Sequence, residues 1–124
     1  MKALILAVAM AAWPMSAMAH ETAKGPNGGP VVDSSGRHVE MVANATELVL
    51  FLTGDADKPI ASAGTKNARA IVQDGGKTAT VPLQAAEPNR LVGPLAAPLG
   101  KGARVVVSAT LADGHGLQAR FVNN

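Results

Sequence analysis

"ARVVVSATLADGHGLQARFV", residues 103–122, decides how the rest of the chain is read. Its apolar positions recur every second residue. Ala103, Val105, Val107, Ala109 and Leu111 fall on one side, and Arg104, Val106, Ser108 and Thr110 on the other. Side chains alternate across a strand and follow a 3.6-residue period on a helix, so this is strand spacing. "ADGHG" supplies turn residues, and Leu117, Ala119 and Phe121 resume the alternation beyond it. Two strands joined by a short turn, with one apolar face between them, read as a β-hairpin.

The same period runs outward along the chain. "RHVEMVA" (37–43) puts Val39 and Met41 on one face, His38 and Glu40 on the other. "ELVLFLT" (47–53) is almost continuously apolar, as suits a strand covered on both sides. "NARAIVQ" (67–73) and "TATVPLQ" (78–84) flank "DGGK", a strong turn signal. "NRLVGPL" (89–95) is a weaker strand, broken by Gly93-Pro94. No helical period shows after residue 19. Six or seven short strands, with turns every eight to twelve residues, predict an all-β, antiparallel, immunoglobulin-like sandwich over residues 31–124. Val, Leu, Ala and Ile make its core light, with Phe51 and Phe121 expected as the largest inward side chains.

The N-terminus has a different texture. Met1-Lys2 is a short positive start, Ala3 to Ala12 an uncharged apolar run, and Ala17-Met18-Ala19 a small-x-small cleavage pattern. This predicts a signal helix within residues 1–19, removed on export. The run is too short to remain as a membrane anchor, which needs about 20 apolar residues. Cleavage after Ala19 leaves 105 residues that begin at His20. Without a lipoprotein cysteine, a soluble periplasmic protein is expected. "ETAKGPNGGP" (21–30) is polar and rich in Gly and Pro, so residues 20–30 read as a flexible arm.

Composition excludes several functions. Without Lys2, ten Lys/Arg oppose nine Asp/Glu, in no basic run, and the mature part has no Trp or Tyr. Nucleic-acid binding needs a basic stripe or a stacking platform, so it is not expected. The absence of cysteine excludes thiol catalysis, thiolate metal sites and haem attachment through Cys. No serine lies in a nucleophile-elbow pattern, and "GPNGGP" lacks the Lys-Ser/Thr of a phosphate loop. An enzyme is not expected.

The three histidines carry the remaining chemistry. At a free N-terminus, His20 offers an amine and an imidazole from one residue, a chelate that favours Cu(II). Asp113 and His115 stand two residues apart in the hairpin turn, near one end of the sandwich. With His20 they would form a tetragonal N/O site. Alternatively, "ADGHG" is a type I′ turn with His115 solvated. His38 and Glu40 share a strand face, and His-x-Glu can ligate a metal; the alternative is the wet face of a half-buried strand. Met41, the one methionine of the mature chain, does not make a Cu(I) thioether site, and zinc would need further ligands.

The stretch "GGPVVDSSGRHVEMVANATELVLFLTGDADKPI" (28–60) resembles small bacterial periplasmic proteins with a "GG…G-x-H-x-E-L-V" signature. It is also similar to a β domain at the start of some heavy-metal efflux adaptors. Gly28, Gly29, Gly36, His38 and Glu40 carry the likeness, and "ARAIVQDGGKTATVPL" with "NRLVGPL…GKGARVVVSATLADG" extends it over most of the mature chain. It implies a periplasmic β-sandwich with a link to metal handling. "PLGKGARVVVSATLADGHG" (98–116) resembles the end of the copper-resistance family CopC, a β-sandwich that holds Cu(II) through its N-terminal His and an Asp-x-His pair. Carried over, these are His20, Asp113 and His115. The family's His-Ala-x-Leu opening is absent, and Gly116 stands where Pro is common.

Two functions are therefore expected. The first is periplasmic metal handling, for copper, by a binder or efflux accessory whose partners are metal-efflux or copper-resistance components. The second is a non-metal interaction module that docks a partner protein through a sheet edge or loops.

Overall fold

A computed structural model describes residues 23–124. The expected signal helix and His20 lie outside the described residues. Among those described there are nine strands: β1 (Val31–Ser34), β2 (Arg37–Ala43), β3 (Glu47–Thr53), β4 (Lys66–Asp74), β5 (Lys77–Pro82), β6 (Gln84–Ala86), β7 (Arg90–Pro94), β8 (Arg104–Thr110) and β9 (Gly116–Val122). They form two sheets, a five-stranded one ordered β1-β2-β3-β7-β6 and a four-stranded one ordered β5-β4-β8-β9. Every pairing between neighbouring strands is antiparallel.

This is an immunoglobulin-like order. If β2 and β3 are strands A and B, then β3-β7-β6 is B-E-D, and β5-β4-β8-β9 is C′-C-F-G. β1 is an additional edge strand before A. The strand count exceeds the expected six or seven because β1 and β6, at 4 and 3 residues, are too short to show an alternation.

The inner faces follow the alternation. Val39 and Met41 of β2, Leu48, Leu50 and Leu52 of β3, and Leu91 of β7 meet Ala70 and Val72 of β4, Val105, Val107 and Ala109 of β8, and Leu117, Ala119 and Phe121 of β9. Full burial of a Val, Leu or Phe side chain stabilises by about 1.5–3 kcal/mol, and this set replaces the disulfide of antibody domains. The "DGGK" turn between β4 and β5 holds Gly75 and Gly76 at φ of 57° and 81°, the double positive φ of a type I′ hairpin.

Phe51 departs from expectation. It shares neither the parity nor the burial of Leu50 and Leu52 and is half-buried on the outer face of the five-stranded sheet. A continuous apolar run does not mark which of its two faces points inward. Residues 23–30 also pack on the fold. The Val31 N–H donates to the Ala23 carbonyl at 2.8 Å, and Lys24 bridges Pro30 in antiparallel fashion, so Ala23 and Lys24 lie beside the start of β1.

Candidate functional site

The β8–β9 turn presents one cluster. The Gly114 N–H donates to the Leu111 carbonyl and the Leu111 N–H to the His115 carbonyl, both at 2.9 Å. Gly114 alone in this loop has positive φ, 88°. That is a type I turn followed by a left-handed glycine, not the type I′ turn weighed from sequence. The turn folds Asp113 back on His115. Asp113 Oδ1 accepts the His115 backbone N–H at 2.9 Å, and Oδ2 lies 3.0 Å from His115 Nδ1. Both side chains are open to solvent, at 65% for His115 and 53% for Asp113.

Arg37 joins them from the other sheet. At the start of β2 it has the inward parity of Val39, but here the core ends, and its Nη2 reaches Asp113 Oδ2 at 3.3 Å. The Asp113 carboxyl is held below its ordinary value, first by the His115 backbone N–H, then by the His115 side chain, with Arg37 adding a smaller attraction. Asp113 is therefore an anion wherever the protein is folded near neutral pH. A carboxylate that takes one imidazole nitrogen orients the ring and leaves the other for a metal. Nε2 of His115 is that other nitrogen.

His38 and Glu40 have a different setting. Glu40, only 4% exposed, pairs with Val31 on one side and Phe51 on the other. Its carboxylate accepts the Asn27 N–H at 3.0 Å, the Asn27 Nδ2 at 3.0 Å and the Gly29 N–H at 2.9 Å. A side chain at Gly29 would strike the Met41 carbonyl, and one at Gly25 the Glu40 carboxylate itself. The glycines of "GPNGG" thus let the loop close over the acid, and Glu40 acts as the clasp of that loop. His38, half-buried two residues away, borders a cavity of about 480 Å³ with Phe51, Thr53 and Asp57 beneath residues 23–27.

The structure brings Asp113 and His115 together and separates them from His38 and Glu40. Among the described residues, no three His, Asp or Glu groups converge as a metal cluster. Two features were missed from sequence: Arg37 as a bridge between the sheets, and Glu40 as the anchor of the N-terminal loop. Only the second left a signal, a Gly-rich turn preceding an acid in a strand.

No family model matches the chain, and none of the curated proteins does. Among solved structures, the archaellum periplasmic stator protein FlaG from Sulfolobus acidocaldarius aligns at a TM-score of 0.39 and 11% identity, over 73% of this chain and 95% of that one. This is a likeness too distant to inform function.

Proposed function

We propose that the protein is exported to the periplasm and binds Cu(II) there through the N-terminal amine and imidazole of His20 together with His115 Nε2, with Asp113 orienting His115 or adding an oxygen. It acts as a copper binder or an accessory to metal efflux, without catalysis. The supporting observation is the exposed Asp113–His115 pair, 3.0 Å apart on a hairpin tip. Chain direction adds to it. Ala23 lies beside Val31, and β1 runs from Val31 to Ser34, which pairs with Arg37 of the same cluster. His20 precedes Ala23 by three residues, a link that can span about 10 Å, comparable with the length of β1.

Copper requires neutral imidazole and amine, so binding weakens as pH falls below about 6. Asp113 stays charged to lower pH than an ordinary carboxylate and does not set that limb. The test is Cu(II) titration of the secreted protein, with mass spectrometry of its N-terminus. One alanine before His20 removes the chelate and leaves every side chain in place. It and His115→Ala should each weaken binding at least about tenfold, or about 1.4 kcal/mol. If the extended protein binds equally well, the site is wrong. The docking-module reading then moves ahead.

A further inference from the structure

The outer face of the four-stranded sheet is unlike the rest of the surface. Its outward positions include Thr78 and Thr80 on β5, Arg69, Ile71 and Gln73 on β4, Arg104, Val106 and Ser108 on β8, and Gln118, Arg120 and Val122 on β9. Three arginines stand there and no acid. The one carboxylate of these strands, Asp74, has the inward parity of Ala70 and Val72 and accepts the Gly100 N–H at 2.8 Å. Arg104 pairs with Val122 and Arg120 with Val106, so the two arginines are diagonal neighbours, about 7–8 Å apart. Arg69 lies one strand further, opposite Ser108. All three are exposed, and no ion pair among the described residues involves them.

Near overall neutrality makes this a segregation of charge rather than a surplus. The mature chain carries ten basic and nine acidic residues, yet one face collects three cations and no anion. At the end of that face, Lys77 and Arg104 line a shallow notch of about 320 Å³ with Gly75, Gly76 and Gly102. Guanidinium groups pair bidentately with phosphate, and glycine leaves backbone N–H groups open to an anion. Ile71 and Val106 are half-buried between the arginines, and Val122 is 50% exposed. No aromatic side chain stands among them, so the face lacks both the anchors of a tight protein interface and a stacking platform for bases or sugars.

We infer that this face docks on an anionic phospholipid surface, its arginines pairing with headgroup phosphates and the Lys77–Arg104 notch receiving one of them. Arg104 begins β8 and the Asp113–His115 turn follows its end, so the docked end and the copper tip lie at opposite ends of that strand. The inference does not rest on the copper reading.

The test is co-sedimentation of the full protein with phosphatidylcholine vesicles, with and without phosphatidylglycerol, at low and high salt. The wild type is compared with R69E/R104E/R120E and with a control of equal net charge, K24E/K58E/R90E. Residues 1–19, present or removed, are common to all three, so the readout is the difference between the variants. Circular dichroism checks that each is folded. Binding that needs phosphatidylglycerol, fades at high salt and falls at least about tenfold in the face variant alone is the expected result. Failure of the wild type to bind anionic vesicles overturns the inference, and so does an equal loss in both variants. Retention on polyglutamate but not on vesicles, lost in the face variant, overturns the lipid and makes the partner an acidic polypeptide.

Discussion

Glu40 and Asp113 are each a carboxylate two residues from a histidine, and the structure treats them in opposite ways. Glu40 is sealed beneath a glycine-rich loop, its oxygens occupied by three N–H donors. Asp113 stands on an exposed hairpin tip, its partners the backbone N–H and imidazole of His115 and one arginine from across the sandwich. The residue pair is the same chemistry in both places. What differs is burial: Glu40 is 4% exposed with its donors packed over it, while the Asp113 side chain is 53% exposed. One acid is buried in the fold, and the other is exposed at its surface.

The phenylalanines divide along the same line and offer the largest effect. Phe121→Ala removes a ring that is 3% exposed in the core and should cost about 3–5 kcal/mol, a large part of a small domain's stability. Phe51→Ala on the outer face should cost clearly less. Thermal melts of the two variants check this, and equal losses would show that the outer face is a second core.

Glu40→Ala tests the comparison directly. It strands the buried Gly29 N–H, at about 1–3 kcal/mol, and frees the exposed Asn27. Denaturant unfolding should show the loss, and amide exchange should show residues 25–29 opening. Asp113→Ala should lower the unfolding midpoint near neutral pH only slightly, and by less than Glu40→Ala, because the carboxylate is open to solvent. Any part Asp113 plays in stability is present above the ordinary carboxylate value of about 3.9 and is lost as pH falls through its lowered folded value. A loss at neutral pH as large as that of Glu40→Ala would blur the contrast.

Copper binding sharpens it further. His115→Ala should weaken Cu(II) at least about tenfold, while His38→Ala leaves the affinity unchanged. A loss on His38→Ala would move the metal to the outer cavity. The smallest effect belongs to Arg37. Its positive charge competes with a cation for Asp113, so Arg37→Gln should tighten Cu(II) by about threefold in low salt. Weaker binding in that variant would mean that Arg37 shapes the tip rather than repelling the metal.

Much of the fold was legible because β2, β8 and β9 alternate cleanly. Val39, Met41, Val105, Val107, Ala109, Leu117, Ala119 and Phe121 all face inward as their spacing requires. Phe51 was not legible, since "ELVLFLT" is apolar at both parities. The pairing of Asp113 with His115 follows from their closeness in sequence, but Arg37 comes from 76 residues away, and no local pattern encodes that contact. Glu40 looked like a ligand because two of its three donors are backbone groups, which have no letter of their own in a sequence.

The clasp on residues 25–29 also bears on how copies of the chain behave toward one another. By holding residues 25–29, Glu40 keeps Ala23 and Lys24 against Val31 and Pro30, at the start of an edge whose backbone groups would otherwise be open to a neighbouring molecule. β6, at the other margin of that sheet, is only 3 residues long. Opening the clasp would therefore lengthen the edge that copies of the chain can pair along, and a concentration-dependent aggregation would accompany the loss of stability.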